Sequence, residues 1–377
     1  MFTPSPLRRN LEAAIRDLRS TRADVRASSA RDLSIAGQDD PRRAADALVV
    51  VFDDATPDVR AAALHAAGAL RAEHHLDAVS RAVDDGDATV RQQAVIALGE
   101  IGGTHATARL REAVRSERGD VRFQALIALS TAAPNEGVDC AIAALGDDDA
   151  WVAAEAATQL GLVLGGERAE RHAVDPAVLA RAREALRPRL DHSSPRVALS
   201  AAMSLARLGD SRGLETMVAF IAGRSSVEGE DASELRIDVI ELLGAVGDAS
   251  TREALHEFAW RWAPTLERAV ARAALARLGD ARAIEYIESQ LKSPLRSRRE
   301  AAVHLAAAGR VRALVPVLVD ALRRRRDDVA AVVGALGLIG DSSAVPDLES
   351  LADDPAADEF VRDEARAAVA ALRPEPT

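Results

Sequence analysis

The sequence predicts an all-α repeat protein, and three observations point to this fold class. A short pattern recurs along the chain, its apolar positions have the spacing of one helix face, and capping residues delimit each recurring segment. The composition agrees, because 48% of the 377 residues are hydrophobic whereas only 3% are aromatic. The core must therefore be built from Ala, Leu, Val and Ile.

The repeat is most regular between residues 59 and 161. Four anchor positions follow one another at intervals of 31 residues, and three of them begin the dipeptide Val-Arg. A small residue stands four positions after each anchor, Leu usually stands eight positions after it, and Gly or Ser stands at the ninth. Offsets of four and eight lie on one face of an α-helix, so each repeat is predicted to contain a helix with a narrow, close-packing stripe. The four anchors are Val59, Val90, Val121 and Val152.

The pattern extends in both directions to eleven repeats. The intervals widen after Val152 and after Val197, which predicts insertions near residues 165–176 and 223–233. Each interval leaves room for a second helix, so the predicted unit is a helical hairpin. The remaining anchors are Val25, Val197, Leu235, Glu267, Ser297, Asp328 and Val361.

Capping residues support these helix limits. Good N-caps stand three positions before several anchors, and Pro follows two of them at the first helical position. Gly recurs twelve positions after six anchors, where the end of a helix can adopt a positive φ. The N-caps are Thr56, Asp87, Asp149 and Ser194, and the glycines are Gly102, Gly209, Gly247, Gly279, Gly309 and Gly340.

The repeats define the domain organisation. We expect an N-terminal capping helix in residues 1–20, a continuous repeat array over residues 21–372 and a disordered tail at residues 373–377. An array of this kind forms one core that grows with each added repeat, because every hairpin buries its apolar stripe against the next.

Two segments resemble a known repeat family. Val90 to Gly103 reads VRQQAVIALGEIGG and Ala269 to Asp280 reads AVARAALARLGD, and both resemble HEAT-like repeats of the phycobilisome-lyase type. The resemblance covers roughly residues 20 to 372. It implies a right-handed α-solenoid of about eleven helical hairpins, with a mostly concave surface lined by the second helix of each pair. Such repeats occur in scaffolds, lyases, hydroxylases and DNA-repair proteins, so the resemblance is specific for fold and not for function.

An arginine follows the anchor in most repeats. Its regularity predicts a structural ladder, in which each guanidinium reaches an acidic residue near the start of a neighbouring repeat's helix, such as Asp58 or Asp120. A ligand site would vary along the array, whereas a packing device would not. These arginines are Arg26, Arg60, Arg91, Arg122, Arg236, Arg268, Arg298 and Arg362.

Charge and cysteine content exclude several classes. The formal net charge of −11 argues against a general nucleic-acid binder, which would be strongly basic. The single cysteine, Cys140, excludes a disulfide framework and multi-cysteine metal sites, and its apolar surroundings in the sequence predict a small buried thiol. No run of about 18 uncharged apolar residues occurs, and the N-terminus does not have the pattern of a signal peptide. We therefore expect a cytoplasmic protein of a bacterium or archaeon.

Enzymatic functions have weaker support in the sequence. A hydroxylase with HEAT repeats builds a di-iron site from several His-Glu dipeptides, and this chain has one, His256-Glu257. The pair His74-His75 is expected to diverge by about 100° on a helix and not to chelate one ion. Trp260 and Trp262 are expected to pack in the helical core. The alternative kept open is a bilin-lyase-like or other prosthetic-group-attaching enzyme subunit, although the single tyrosine, Tyr286, has no evident cluster around it.

The favoured function is a non-enzymatic scaffold that binds a protein or peptide partner and needs no metal or cofactor. Two columns on the repeated helices, three and six positions after the anchors, are expected to be more exposed than the core stripe. Their mixture of polar and apolar side chains suits a protein ligand better than a phosphate backbone. The candidate partner-binding residues, assigned to the concave face, are His65, Gln93, Ile96, Gln124, Ile127, Glu155, Thr158, Ser200, Met203, Asp238 and Glu241.

One segment differs from the acidic remainder. Residues 292–326 contain ten basic and two acidic side chains, a local charge of +8, which leaves −19 for the rest of the chain. Cations at the end of a helix complement its macrodipole, so solvated helix ends are the favoured explanation of this concentration. The alternative is an anion-binding patch for an acidic protein, lipid headgroups or nucleic acid. The candidate residues are Arg298, Arg299, Arg323, Arg324, Arg325 and Arg326.

Overall fold

The computed structural model describes residues 10–165, 174–227, 229, 232–262, 265–324 and 328–373. In this part of the chain the regular elements are 22 α-helices and seven short 3₁₀ turns, with no strand. The predicted all-α fold class is confirmed. None of the described helices is long and apolar enough to span a lipid bilayer.

Every predicted anchor lies at the start of a helix. Ten anchors fall within the first four residues of a helix, and Asp328 is the N-cap whose side chain accepts from the next helix's first amides. We call these the anchor helices. They are α2 (Ala23–Ala36), α4 (Pro57–Ala69), α6 (Ala88–Ile101), α8 (Gly119–Ala132), α10 (Ala150–Leu164), α12 (Pro195–Arg207), α14 (Ala232–Val246), α16 (Leu266–Arg277), α18 (Arg296–Ala308), α20 (Val329–Ile339) and α22 (Glu359–Leu372).

A second helix follows each of the first ten anchor helices in sequence. After α22 the structure describes only Arg373, so the described chain has ten helix pairs and one final helix where about eleven hairpins were predicted. The second helices are α3 (Pro41–Ala47), α5 (Leu76–Arg81), α7 (Gly103–Ala113), α9 (Pro134–Ala144), α11 (Pro176–Leu186), α13 (Leu214–Ile221), α15 (Ala249–Ala259), α17 (Ala281–Leu291), α19 (Val315–Arg324) and α21 (Val345–Ala352).

The helices form two compact units. Unit 1 comprises residues 1–210 and unit 2 residues 211–377, whereas the sequence predicted one continuous array. Unit 1 opens with α1 (Leu11–Asp17), the predicted capping helix, which packs on α2 and is itself capped by Asn10. The side chain of Asn10 accepts a hydrogen bond from the Ala13 amide at 2.9 Å.

Several predicted irregular segments lie wholly or partly outside the described residues. These undescribed positions are residues 1–9, residues 166–173 in the first predicted insertion, residues 228, 230 and 231 in the second, and residues 374–377 in the predicted tail.

The small residues of the repeat are explained by close helix packing. A Cβ atom added to Gly161 of α10 would lie 2.9 Å from the Cα of Ser204 on α12, and one on Gly68 would lie 3.0 Å from the Cα of Ala97. Only a residue without a side chain fits at such separations. The predicted stripe at offsets four and eight is buried in every anchor helix except α18, with Leu98 and Leu129 as examples. The buried side chains of the stripe and the small residue at the ninth position form the packing contact between successive anchor helices.

Most helix ends follow the predicted glycine pattern. Gly102, Gly209, Gly279 and Gly340 have positive φ, as expected. Gly309 is still helical, with φ −74°, and the next residue, Arg310, has φ +46°. Arg71 takes the same left-handed conformation, φ +49°, after α4.

Candidate functional site

Arginine side chains connect successive repeats of unit 1. The guanidinium of Arg26 donates to Asp54 at 2.7 and 2.8 Å, and that of Arg122 donates to Asp147 at 2.8 and 2.7 Å. Each acceptor lies in the loop that leads to the next anchor helix. The ladder ends at the next repeat, because Ala153 stands where the arginine would be.

The middle of the ladder shows how it is joined. Asp85 accepts two hydrogen bonds from Arg60 through its carboxylate, and its backbone oxygen accepts one from Arg91 at 3.0 Å. Arg91 in turn donates to Asp120, as the sequence predicted. The acceptor in the first pair of repeats is Asp54 and not Asp58, so that part of the prediction was wrong. Because these arginines are bound on all sides by their own repeat and the next, they are structural and do not form a ligand site.

In unit 2 the arginine ladder continues, but on one helix the ladder arginine lies one residue later than the sequence predicted. Arg236 donates to Glu267 at 3.2 Å, as expected for the ladder. On α18, however, Arg299 rather than Arg298 donates to two backbone oxygens, those of Ser293 and Pro294, at 2.9 and 3.0 Å. Arg299 is only 6% exposed. Its assignment to an anion-binding patch is therefore wrong, whereas Arg298 is exposed.

The rest of the basic segment is largely paired with carboxylates. Arg323 binds Asp347 of α21 through two hydrogen bonds, at 2.6 and 3.0 Å, and Arg324 binds Asp320 at 3.0 Å. Lys292 pairs with Glu288 one turn earlier. The sequence count missed this compensation because Glu288 and Asp347 lie outside the window of residues 292–326. Arg325 and Arg326 lie outside the described residues.

The predicted partner-binding columns are mostly accessible. His65, Asp238 and Glu241 are exposed, and Met203 is the exception because it is 4% exposed. Those that are half-buried between neighbouring anchor helices are Gln93, Ile96, Gln124, Ile127, Glu155, Thr158 and Ser200. Asp238 and Glu241 belong to unit 2 and the other nine to unit 1.

The two helix layers of unit 1 are spaced differently. Successive anchor helices pack along much of their length, whereas successive second helices touch each other only sparsely. Ion pairs between long side chains bridge the wider gaps. An example is Arg111 of α7 with Glu136 of α9, whose nitrogen and oxygen lie 2.7 Å apart. Closer spacing in one layer bends unit 1 toward that layer. The closer spacing of the anchor helices favours them as the concave layer of unit 1, whereas the sequence-based expectation placed the second helices there.

An exposed aromatic residue that the sequence analysis did not single out lies on this side. Trp151 stands one position before its anchor, and with Glu155, Thr158 and Leu162 it follows the 4-3-4 spacing of one helix face. Trp151 is 53% exposed, and the guanidinium carbon of Arg196 lies 3.9 Å from the centre of its ring. The helical spacing with the two columns was the signal that could have identified it. We call the accessible side of the anchor helices in unit 1, from His65 to Ser200, the anchor face.

Glu155 is the polar centre of this part of the anchor face. Its carboxylate accepts a hydrogen bond from Gln159 at 2.7 Å. Burial raises the pKa of Glu155 above its ordinary value. Among the described residues no cation forms an ion pair with it, so a positively charged group from a partner would gain a favourable contact there.

Cys140 borders a cleft on the other layer. The cleft, of about 520 Å³, lies between α7 and α9 and is lined by Arg111, Arg115, Glu136 and Asp139. The thiol is half-buried, and burial raises its pKa. A raised pKa lowers the thiolate fraction at a given pH, which makes the thiol less reactive than that of an exposed cysteine.

The two tryptophans of unit 2 behave differently from each other. Trp260 packs edge-on against Tyr286 with ring centres 5.6 Å apart, and Arg282 lies over its ring at 4.0 Å. Trp262 is 96% exposed, so its predicted place in the core was wrong. It lies three residues beyond the end of α15, outside the helical turns that pack against neighbouring helices.

One group of side chains could hold a metal ion. The ring nitrogens of His74 and His75 both approach a carboxylate oxygen of Asp46, at 2.9 and 3.1 Å. The expectation that the two histidines diverge was wrong, because they lie in a 3₁₀ turn where His75 has φ −110° and ψ 15°. The angle of about 100° between neighbours applies to an α-helix and not to this turn.

Comparisons with known proteins agree on the fold. A family model for HEAT repeats matches residues 45–130. No curated protein matches the sequence. Among solved structures, a chain of the Kap95:Nup1 complex matches with a TM-score of 0.57 at 13% identity, over 96% of this chain and 57% of that one. The Escherichia coli protein YibA matches with a TM-score of 0.47 at 18% identity, over 71% of this chain and 93% of that one.

The matching model is the general one for HEAT repeats, so the narrower phycobilisome-lyase type stays a prediction. Residues 45–130, from α3 to α8, are similar to HEAT repeats, and the described helices have the fold of an all-α repeat solenoid.

Proposed function

We propose that the protein is a non-enzymatic scaffold that binds a segment of a partner protein along the anchor face of unit 1. The observation that carries this proposal is Trp151, a large aromatic side chain held half-exposed under the guanidinium of Arg196. Tryptophan and arginine are the residues most often found at energetic centres of protein interfaces. The guanidinium over its ring and the row of half-buried side chains beside it distinguish Trp151 from a singly exposed aromatic residue such as Trp262.

The neighbouring side chains define the chemistry of the partner. Ile127 and Leu162 add apolar surface on either side of Glu155 and Thr158. The half-buried carboxylate of Glu155 favours a cation, and the apolar side chains favour an apolar group. The partner segment is therefore amphipathic, with an Arg or Lys close to an apolar side chain.

The fold supports this function. Stacked hairpins present a preorganised surface, so the protein itself loses little conformational entropy when an extended or helical peptide binds. One solved structure with a similar fold is itself a complex of Kap95 with Nup1. The basic segment of unit 2 has no part in the proposed function, which rests on the anchor face of unit 1. Among its described side chains, Arg323 and Arg324 are paired with carboxylates and Arg299 is buried.

The test selects peptides that bind the whole chain from a displayed library of random sequences. Their affinities for the chain are then measured by fluorescence polarisation. Trp151→Ala should lower the affinity for the selected peptides at least tenfold. Glu155→Gln should lower the affinity for those peptides that carry a cation. The start of α10 is preserved in Trp151→Ala, because Asp149 caps it through the backbone amide of residue 151 at 2.9 Å.

Trp262→Ala is the matched control, since it removes an equally large and exposed ring in unit 2. The proposal requires that this control bind the peptides like the parent protein. Equal affinity of Trp151→Ala and the parent protein for every selected peptide would show that the anchor face is not the binding surface.

A further inference from the structure

The gap between the first two second-layer helices is bridged by an unusual group of side chains. Asp46 lies near the end of α3, and His74 and His75 lie in the turn that leads into α5. Another gap in this layer of unit 1 is bridged by an ion pair of arginine with carboxylate, Arg111 of α7 with Glu136 of α9. Here two imidazoles and one carboxylate meet instead, and each offers a ligand atom within 4.8 Å of the others.

The spacing of these atoms matches a metal site. Zinc binds imidazole nitrogen and carboxylate oxygen at about 2.0–2.1 Å, so two ligand atoms lie about 3.3 Å apart in a tetrahedral site and about 3 Å apart in adjacent octahedral positions. The distances from the carboxylate oxygen of Asp46 to the two imidazole nitrogens are 2.9 and 3.1 Å. The two imidazole nitrogens lie within 4.8 Å of each other, so the three atoms can converge on one ion.

The surroundings hold the ligands in place and leave an open side. The rings of His74 and His75 lie 4.2 Å apart, and Phe52 packs against His75 at 5.9 Å, which limits rotation of that ring. The side chain of His75 is mostly buried, whereas those of His74 and Asp46 reach solvent. Water can therefore complete the coordination shell.

We propose that Asp46, His74 and His75 bind one divalent first-row transition-metal ion through two imidazole nitrogens and one carboxylate oxygen. Imidazole suits Zn²⁺, Ni²⁺ and Cu²⁺, whereas Mg²⁺ prefers a shell of oxygen atoms. The ion joins the first hairpin of the array to the second. Because the unfolded chain does not hold Asp46 beside the histidines, binding of the ion stabilises unit 1.

The experiment measures Zn²⁺ binding to the untagged, chelator-treated full chain by isothermal titration calorimetry, together with the melting temperature. One Zn²⁺ per chain should bind and raise the melting temperature, and Mg²⁺ at the same concentration should do neither. Asp46→Asn and His74→Ala should each lower the Zn²⁺ association constant at least tenfold. Substitution of Co²⁺ should give visible absorption bands that both variants lose.

His105→Asn is the matched control, because His105 is an exposed histidine of the next second-layer helix and lies outside the group. It should bind Zn²⁺ like the parent protein. Circular dichroism of the metal-free variants checks that the helices are intact. The proposal is overturned if the parent chain binds no Zn²⁺, if Asp46→Asn binds it unchanged, or if His105→Asn loses as much affinity as His74→Ala.

Discussion

Arg60 and Asp85 form a two-point ion pair across the boundary between consecutive repeats, with nitrogen–oxygen distances of 2.9 and 2.8 Å. The same guanidinium donates at 2.7 Å to the backbone oxygen of Asp54, whose side chain is the acceptor of Arg26. Asp54 and Asp85 thus each receive one arginine through the carboxylate and the next through the backbone oxygen. The ladder holds every inter-helix loop of this region in one conformation.

We expect Arg60→Ala to lower the free energy of unfolding by about 1–3 kcal/mol, because the mostly buried Asp85 carboxylate and Asp54 backbone oxygen lose their donor. Arg16→Ala removes an arginine from an ion pair that is exposed to solvent, so it should cost less than about 1 kcal/mol. Urea denaturation of both variants measures the difference. Equal losses would mean that the ladder contributes no more than a surface ion pair.

The ladder also predicts how stability depends on pH. Hydrogen bonds from the arginines hold the pKa values of Asp54 and Asp85 below their ordinary values in the folded protein. A carboxyl whose pKa is lowered by folding stabilises the folded state above its unfolded pKa, and this contribution is lost as the pH falls through the folded pKa.

The unfolding free energy should therefore decrease as the pH is lowered below about 5. Asp85→Asn should be less stable than the parent at neutral pH and should lose less stability on acidification. Denaturation curves recorded across this pH range test both statements. Parallel pH profiles for the two proteins would show that Asp85 is not one of the groups responsible.

Arg71 is predicted to be a strained residue. Its φ of +49° lies in the left-handed region, where a Cβ atom costs about 1–2 kcal/mol. Gly209 and Gly279 have the same conformation at corresponding helix ends. Arg71→Gly should therefore raise the free energy of unfolding by about 1 kcal/mol. Arg71→Ala is the matched control, since it keeps the Cβ atom and should not show this gain in chemical denaturation.

The fold was predictable because the residues that let neighbouring helices pack closely recur at fixed positions of the repeat. Gly or Ser at the ninth position marks the close approach of neighbouring helices, which the structure shows between Gly161 and Ser204. The anchor of α18 was placed one residue too early, because Leu305 was taken as the buried residue eight positions after it. In the structure Ala306 is the buried residue and Leu305 is only half-buried.

The site was less predictable because its residues meet through the turns and through neighbouring helices. Asp46 reaches His74 and His75 only because the two histidines lie in a 3₁₀ turn, whose presence the periodicity does not reveal. The charge count failed for the same kind of reason, since Asp347 reaches Arg323 from another helix. Sequence offsets describe one helix face well and contacts between elements poorly.

Two glycines inside anchor helices should respond to alanine in opposite ways. A Cβ atom on Gly161 of α10 would lie 2.8 Å from the Cβ and 2.9 Å from the Cα of Ser204, so α10 and α12 would have to move apart. We expect Gly161→Ala to lower the free energy of unfolding by about 1–3 kcal/mol. A Cβ atom on Gly334 of α20 meets no atom within 4 Å.

Gly334→Ala should raise the free energy of unfolding by about 0.5–1 kcal/mol, because alanine favours the helical conformation and nothing opposes the added methyl group. The chemical change is the same in both variants, so the difference isolates the packing between helices. Since the two residues lie in different units, urea denaturation should be followed by hydrogen exchange of amides in each unit. Stabilisation of unit 1 by Gly161→Ala would show that its anchor helices are not in close contact at the ninth position.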